Sequence, residues 1–232
     1  MPRRSALAAG LILVLGWTPP LVAGETRMVL ALGSTGFLSS GAIQASSGAD
    51  VTSEVDKFKL QDFAVIVLAN IPYTALPGSV QQGLVEYVND GGALLLTGGP
   101  QAFGSGGYAA VAPIVPFQIR SSSDWRATPF RPPVALQPGH PILAGVEFIT
   151  VGAVNDMNPR PDATEILRAA GGGSAGGVSY PYPLIAEIGV GAGRVLGIAF
   201  DLNDFSGMRD RDQFIQNTVS YLVSVSRAGQ TR

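Results

Sequence analysis

The sequence has no cysteine, one histidine and only 14% charged residues. Without cysteine there is no disulfide, thiolate nucleophile, thiolate metal site, iron–sulfur cluster or lipid-anchored cysteine. With one histidine there is no site built on two. Lysine and arginine number 15 against 17 acidic residues, a net charge of −2, so a basic footprint for nucleic acid is missing. The charged fraction falls well below the roughly 25% of ordinary globular domains. What is abundant is glycine, 30 residues in 232, on a 46% hydrophobic background. A chain of this length buries a core without staples and suits one sizeable domain. The composition points to strongly apolar strands joined by glycine-rich loops.

The first 24 residues read as a secretory signal rather than as structure. Arg3 and Arg4 precede the apolar run Ala6 to Trp17, followed by Pro19, Pro20 and the small-residue stretch Leu21-Val22-Ala23-Gly24. This is the order of a charged, an apolar and a cleavage region, with cleavage after Ala23 or Gly24. The apolar run is short for a bilayer span; an uncleaved anchor helix is the alternative. Either Sec or twin-arginine export fits. Residues 25–232 then form the exported chain, periplasmic or secreted.

Within that chain, Arg27 to Gly33, Phe63 to Ala69 and Ala93 to Thr97 are continuous apolar runs. Such runs read as strands buried on both faces, as in parallel sheets under helices. Between the last two, Val80, Leu84 and Val88 recur every four residues on one helical face, and Asp90-Gly91-Gly92 stops the helix. Residues 63–97 are therefore a βαβ unit. The segment 34–60 is ambiguous: Gly36 and Gly41 weaken a helix over Thr35 to Ser46, and Ala49 to Val55 suits a strand. Seven prolines between 113 and 141 predict an extended stretch. Residues 162–169 suit a short helix or a strand. Gly171 to Gly177 reads as a surface loop. Pro183 to Val190 and Arg194 to Asp201 flank Gly191-Ala192-Gly193 as a hairpin. Asp212 to Val225 closes the chain as a helix.

Four groups of residues invite a functional reading. Gly98 to Gly107 is a glycine-rich strand exit that could cradle an anion on backbone N–H groups, although it lacks both phosphate-loop spacings. The plainer reading tucks Phe103 and Tyr108 against the sheet. If the loop lines a pocket, Asn70, Gly98, Gly99, Gln101 and Ser105 line it, because such sheets bind ligands at the carboxyl ends of their strands. Asp201, Asn203, Asp204, Asp210 and Asp212 form an oxygen-rich loop. Asp201, Asn203, Asp204 and Asp212 could hold calcium, with Asp201, Asn203 and Asp212 at positions 1, 3 and 12 of a calcium loop. Position 5, however, is Phe205, and the glycine falls one place late. The alternative is a solvated loop with an aspartate near a helix N-terminus. Asn155, Asp156, Asn158 and Asp162 join this loop only if the fold brings them together. Gly172 to Gly176 matches G-x-S-x-G by letters without the strand that an elbow needs. His140, in Pro138-Gly139-His140-Pro141, reads as a turn histidine bonded to backbone, or otherwise as a lone base or metal ligand.

The stretches FAVIVLANIP and LPGSVQQGLVEYVNDGGALLLTGGPQAFGSGGY resemble the class I glutamine amidotransferase-like domain, most of all a non-catalytic branch in exported bacterial proteins. GHPILAG, PLIAEIGVGAGRVLGIAFD and DQFIQNTVSYLVS extend the resemblance over residues 27–225. The resemblance implies an α/β fold, a three-layer flavodoxin-like sandwich with a mostly parallel sheet and a C-terminal hairpin extension. In catalytic members the loop after the strand matching 93–97 carries a nucleophilic cysteine on a sharp elbow; here that stretch is Thr97-Gly98-Gly99-Pro100-Gln101. His140 is not at the family's late histidine position. Thiolate–imidazole chemistry is excluded by residue type. The expectation is an exported binding or interaction module, its ligand a small molecule or a protein, with no cofactor unless the acidic loop takes calcium. Two other classes stay open. One is a hydrolase using Asp201 or Asp204 with a metal or activated water. The other is a structural partner of a membrane-bound complex, which would show an exposed apolar patch.

Overall fold

The computed structural model describes residues 27–127, 133–147, 152–170, 174–175, 178–179, 182–203 and 209–228. The proposed signal and its cleavage site lie outside them, as does Asp204. Eight strands build the main sheet: β1 (Arg27–Gly33), β2 (Ala49–Thr52), β3 (Phe63–Ala69), β4 (Ala93–Thr97), β5 (Pro133–Ala135), β6 (Thr164–Ala169), β7 (Pro183–Val190) and β8 (Gly193–Ile198). Their order is β2-β1-β3-β4-β8-β7-β6-β5. The first five are mutually parallel; β7, β6 and β5 add antiparallel pairings. The hairpin expected at 183–201 is thus the hinge of the sheet: β8 completes the parallel half and β7 begins an antiparallel wing, longer than a single hairpin.

Helices α1 (Ser40–Ser47), α2 (Gly78–Asn89) and α3 (Arg211–Val225) sandwich this sheet. Alternation along the strands divides the core. Val65, Val67, Ala93 and Leu95 face α1 and α3, packing with Ile43, Phe214, Ile215 and Val219. Ile66, Leu68, Leu94 and Leu96 face α2, packing with Val80, Leu84, Tyr87 and Val88. The crossover β1–α1–β2 leaves on one face and β3–α2–β4 on the other. This reversal between β1 and β3 is the topological switch point of a doubly wound sheet. The fold is a mixed α/β sandwich of flavodoxin-like form.

Sequence accounts for most of these boundaries. In β3 every side chain is at most 1% exposed, as a continuous apolar run requires. Tyr87 joins the stripe Val80–Leu84–Val88 from one residue away, and its buried hydroxyl donates towards the carbonyls of Phe63, Ala64 and Ala93, tying α2 to two strands. Helix α1 begins five residues later than Thr35, because residues 33–38 form turns that place Phe37 in the core. The proline-rich stretch holds short strands at 117–119, 125–127 and 133–135 between 3-10 segments at Tyr108–Ile114 and Pro141–Leu143. Residues 164–169 resolve as a strand, with Ile166 and Leu167 buried.

Candidate functional site at the strand ends

The parallel strands deliver Gly33, Ala69, Thr97 and Ile198 to one edge of the sheet, where four connecting loops interlock. Asn70 leaves β3 with a left-handed backbone, φ 43°. Its side-chain Nδ2 donates to Asp201 Oδ2 at 3.0 Å, and its Oδ1 accepts the Gln101 N–H at 2.8 Å. On Asp201 the other oxygen, Oδ1, accepts the Asn203 N–H at 2.8 Å and Asn203 Nδ2 at 3.2 Å. Asn203 Nδ2 also donates to the Ser34 carbonyl. The ends of β1, β3, β4 and β8 are thereby joined through Asn70, Asp201 and Asn203.

Beneath this layer sits the β4 elbow. Gly98 donates to the Phe200 carbonyl at 3.1 Å. Asn155, fully buried, grips Gly99 at both ends: its Oδ1 accepts the Gly99 N–H at 2.9 Å and its Nδ2 donates to the Gly99 carbonyl at 3.1 Å. Gly99 has φ 141°, and a Cβ there would lie 2.2 Å from Asn70 Cγ. At Gly98 a Cβ would lie 2.6 Å from both the Ala199 backbone and Asn155 Oδ1. Space that a side chain on the elbow would need is filled by two asparagines and a neighbouring strand.

The rest of the glycine-rich segment is folded down. Phe103 is 1% exposed with φ 46°, and its ring meets Phe117 edge-on at 5.5 Å. Tyr108 is buried and donates to the Ile71 carbonyl. Asp124, also buried, organises the turn: its carboxylate accepts Gly104 N–H and Ser105 N–H, each at 2.9 Å, and the Ser105 hydroxyl at 2.7 Å. The plainer reading of Phe103 and Tyr108 therefore holds, while Asn70, Gly98, Gly99 and Gln101 form one bonded unit and Ser105 belongs to an adjacent turn on Asp124.

The acidic residues separate. Asp201 and Asn203 share the strand-end network. Asp212 lies in the first turn of α3, lining a recess of about 80 Å³ with Phe37, Ser39, Ile43 and Gln216. Asp210 starts that helix in a left-handed conformation, with no side-chain cap bond. Among the described residues no three histidine or carboxylate side chains gather at metal-binding separation. Of the second polar group only Asn155 reaches the strand ends. Asp156 pairs with Arg120, and Asp162 with Arg160, which holds its carboxyl below the usual range. Ser174–Ala175 pairs with Val178–Ser179 in a small hairpin rather than leading into a helix.

His140 takes partners away from the glycine loop. Its Nδ1 accepts the Ile142 N–H at 3.4 Å, and its Nε2 lies 3.8 Å from Glu187 Oε1. Its ring packs edge-on against Tyr221, whose hydroxyl donates to Glu187 Oε2 at 2.7 Å. Sequence reading missed Glu187, Tyr221 and Asp124. Only Glu187 left a trace, as a carboxylate inside an apolar strand. A groove of about 630 Å³ runs elsewhere, lined by Ala109, Phe117, Ile119, Arg160 and Asp162; Asp162 belongs to the second polar group named from the sequence, and none of the glycine-loop residues lines it. No helix among the described residues is long and apolar enough to cross a membrane.

No protein-family model and no curated protein matches the chain. Solved structures do. A cytoplasmic protein of Salmonella typhimurium superposes with a TM-score of 0.62 at 16% identity, covering 85% of this chain and 98% of its own. A ThuA-like protein of Parabacteroides merdae gives 0.55 at 12% identity, over 90% and 93% of the two chains. One from Bacteroides uniformis gives 0.52 at 12% identity, over 90% and 97%. At these identities the likeness is one of fold, and the fold shared with the ThuA-like proteins is that of the class I glutamine amidotransferases.

Proposed function

We propose that this chain is an exported, non-catalytic module of glutamine amidotransferase-like fold that binds a small ligand or a protein through its strand-end loops. The observation that carries the reading is the filled elbow. At this elbow, which carries no cysteine, Gly99 is clasped by Asn155 and overlaid by Asn70. The side chains of Asn70, Asn155 and Asn203 are each hydrogen-bonded in this network, which offsets their desolvation and holds four loops together for recognition. A hydrolase reading has less support. Asp201 already accepts three N–H bonds that tie it into the loop network, and His140 is engaged with Glu187 and Tyr221.

The test uses the chain from residue 25, melted with calcium, with chelator, and with panels of sugars and nucleotides, alongside generic ester and glutamine hydrolysis. The expected result is no turnover, and a ligand that raises Tm and slows amide exchange at 70–71, 98–105 and 201–203. Turnover abolished by Asp201→Ala would overturn the reading in favour of a hydrolase. A calcium-dependent Tm rise lost in the same variant would assign the acidic loop to metal instead.

A further inference from the structure

Among the described residues three buried polar side-chain atoms lack a hydrogen-bond partner: Thr97 Oγ1, Arg211 Nε and Thr218 Oγ1. All three belong to the α3 side of the sheet. Thr97 closes β4 in register with Ala93 and Leu95, which pack with Phe214 and Ile215 of α3. Arg211 lies one turn before Ile215 and two before Thr218, on the same buried stripe.

Their heights along the helix follow from its far end. Arg227 N–H bonds to the Gly91 carbonyl at 2.8 Å, so the end of α3 lies beside the start of β4. From Gly91 to Thr97 the chain climbs about 20 Å as an extended strand. The same height corresponds to about 13 residues of helix, counted back from 226 to the first turn of α3. Thr97, 1% exposed and on the sheet face that α3 covers, therefore lies at about the height of that first turn, where Arg211 Nε is also buried and unpaired.

This place is unfavourable for an unaccompanied cation. The helix N-terminus carries partial positive charge, so a guanidinium there is repelled. The first-turn N–H groups of α3 receive no side-chain cap from Asp210. Among the described residues Arg211 makes no ion pair or hydrogen bond. A buried donor left unpaired costs free energy that an acceptor ligand would recover. One oxyanion satisfies the guanidinium, the open N–H groups and the Thr97 hydroxyl together.

We infer that the first turn of α3, Arg211 and Thr97 form a binding site for the carboxylate group of a small ligand. A carboxylate suits a single guanidinium fork, whereas a phosphate dianion would meet Asp210 and Asp212 while the neighbouring Arg209 is already paired with Glu147. The site deepens the ligand-binding reading and rests on it, since it lies at the same edge of the sheet as the interlocked loops.

The probe is sodium acetate, compared with sodium chloride and sodium phosphate at matched ionic strength, on the chain from residue 25. Acetate at tens of millimolar is expected to raise Tm by about 2–4 °C over chloride, with phosphate giving less. Backbone amide resonances of residues 211–213 should move with acetate. Arg211→Gln should abolish the response, Arg211→Lys should keep part of it, and Thr97→Val should weaken it. If Thr97 is merely an unpaired hydroxyl, T97V stabilises the fold and leaves the response unchanged, which overturns its role. An acetate response equal in wild type and R211Q, a larger phosphate response, or none above chloride overturns the site. If other ligands still protect 98–105 and 201–203, only this inference falls; if acetate binds at 211–213 and nothing protects those loops, the loop-surface reading falls instead.

Discussion

Gly99 concentrates the constraint at the strand ends into one residue. Its φ of 141° is a conformation that side-chain-bearing residues avoid, and its missing Cβ is what lets Asn70 lie across the elbow. Gly99→Ala adds backbone strain and a 2.2 Å collision with Asn70 Cγ. The two effects together are expected to cost about 3 kcal/mol, read as a lowered urea midpoint. Half of that cost should be independent of Asn70. In an Asn70→Gly background, which suits the left-handed φ of residue 70, the collision disappears and only the backbone strain remains. A double-mutant cycle with no coupling between positions 70 and 99 would show that the asparagine does not occupy the elbow. The same geometry means that any side chain at 99 would have to displace Asn70.

At the scale of elements, the turn over 101–107 depends on one carboxylate from a distant segment. Asp124 is 1% exposed and takes both backbone N–H groups at 104–105 as well as the Ser105 hydroxyl. Asp124→Ala leaves the buried Gly104 N–H unpaired and removes both bonds to Ser105, with an expected loss of about 2–3 kcal/mol. Amide exchange at Gly104 and Ser105 should accelerate well before global unfolding. Exchange that quickens uniformly across the sheet would instead make Asp124 a general stability residue. This dependence marks the limit of what the sequence makes legible. β1, β3 and β4 stand out because burial on both faces demands unbroken apolar runs, and α2 because its stripe repeats every four residues. The glycine-rich elbow was visible for the same local reason. Asp124 in SSSDW and Asn155 in AVND carry no local signal, since the groups they satisfy lie 19 to 56 residues away. The antiparallel wing was only partly legible: three-residue strands such as β5 are too short to show a period.

Across the whole molecule, α3 and the sheet are joined at mid-height by a buried polar knot. Glu187 on β7 receives the Tyr221 hydroxyl from α3, faces His140 from the turn ahead of 141–143, and lies 3.7 Å from Arg194 on β8. Burial alone would raise the Glu187 pKa. The neighbouring His140 imidazole, the hydrogen bond from Tyr221 and the charge of Arg194 outweigh it, so the carboxyl titrates below its ordinary value of 4.5. The Tyr221 phenol is pushed up in turn, by burial first and then by its bond to that carboxylate. A carboxyl with a depressed folded pKa adds stability that is present above the unfolded value and lost as pH falls through the folded one. The stability gap between the wild type and Glu187→Gln should therefore be constant from pH 7 to about 5 and shrink progressively below about 4.5. Other carboxyls titrate in both proteins and cancel in the difference. The measurement is urea unfolding at intervals from pH 7 to 3. A gap that stays flat to pH 3 would mean that Glu187 is held no more tightly in the fold than in the unfolded chain. A gap that closes in the acid range would make the knot between α3, the His140 turn and the antiparallel wing a principal electrostatic tie across the sandwich.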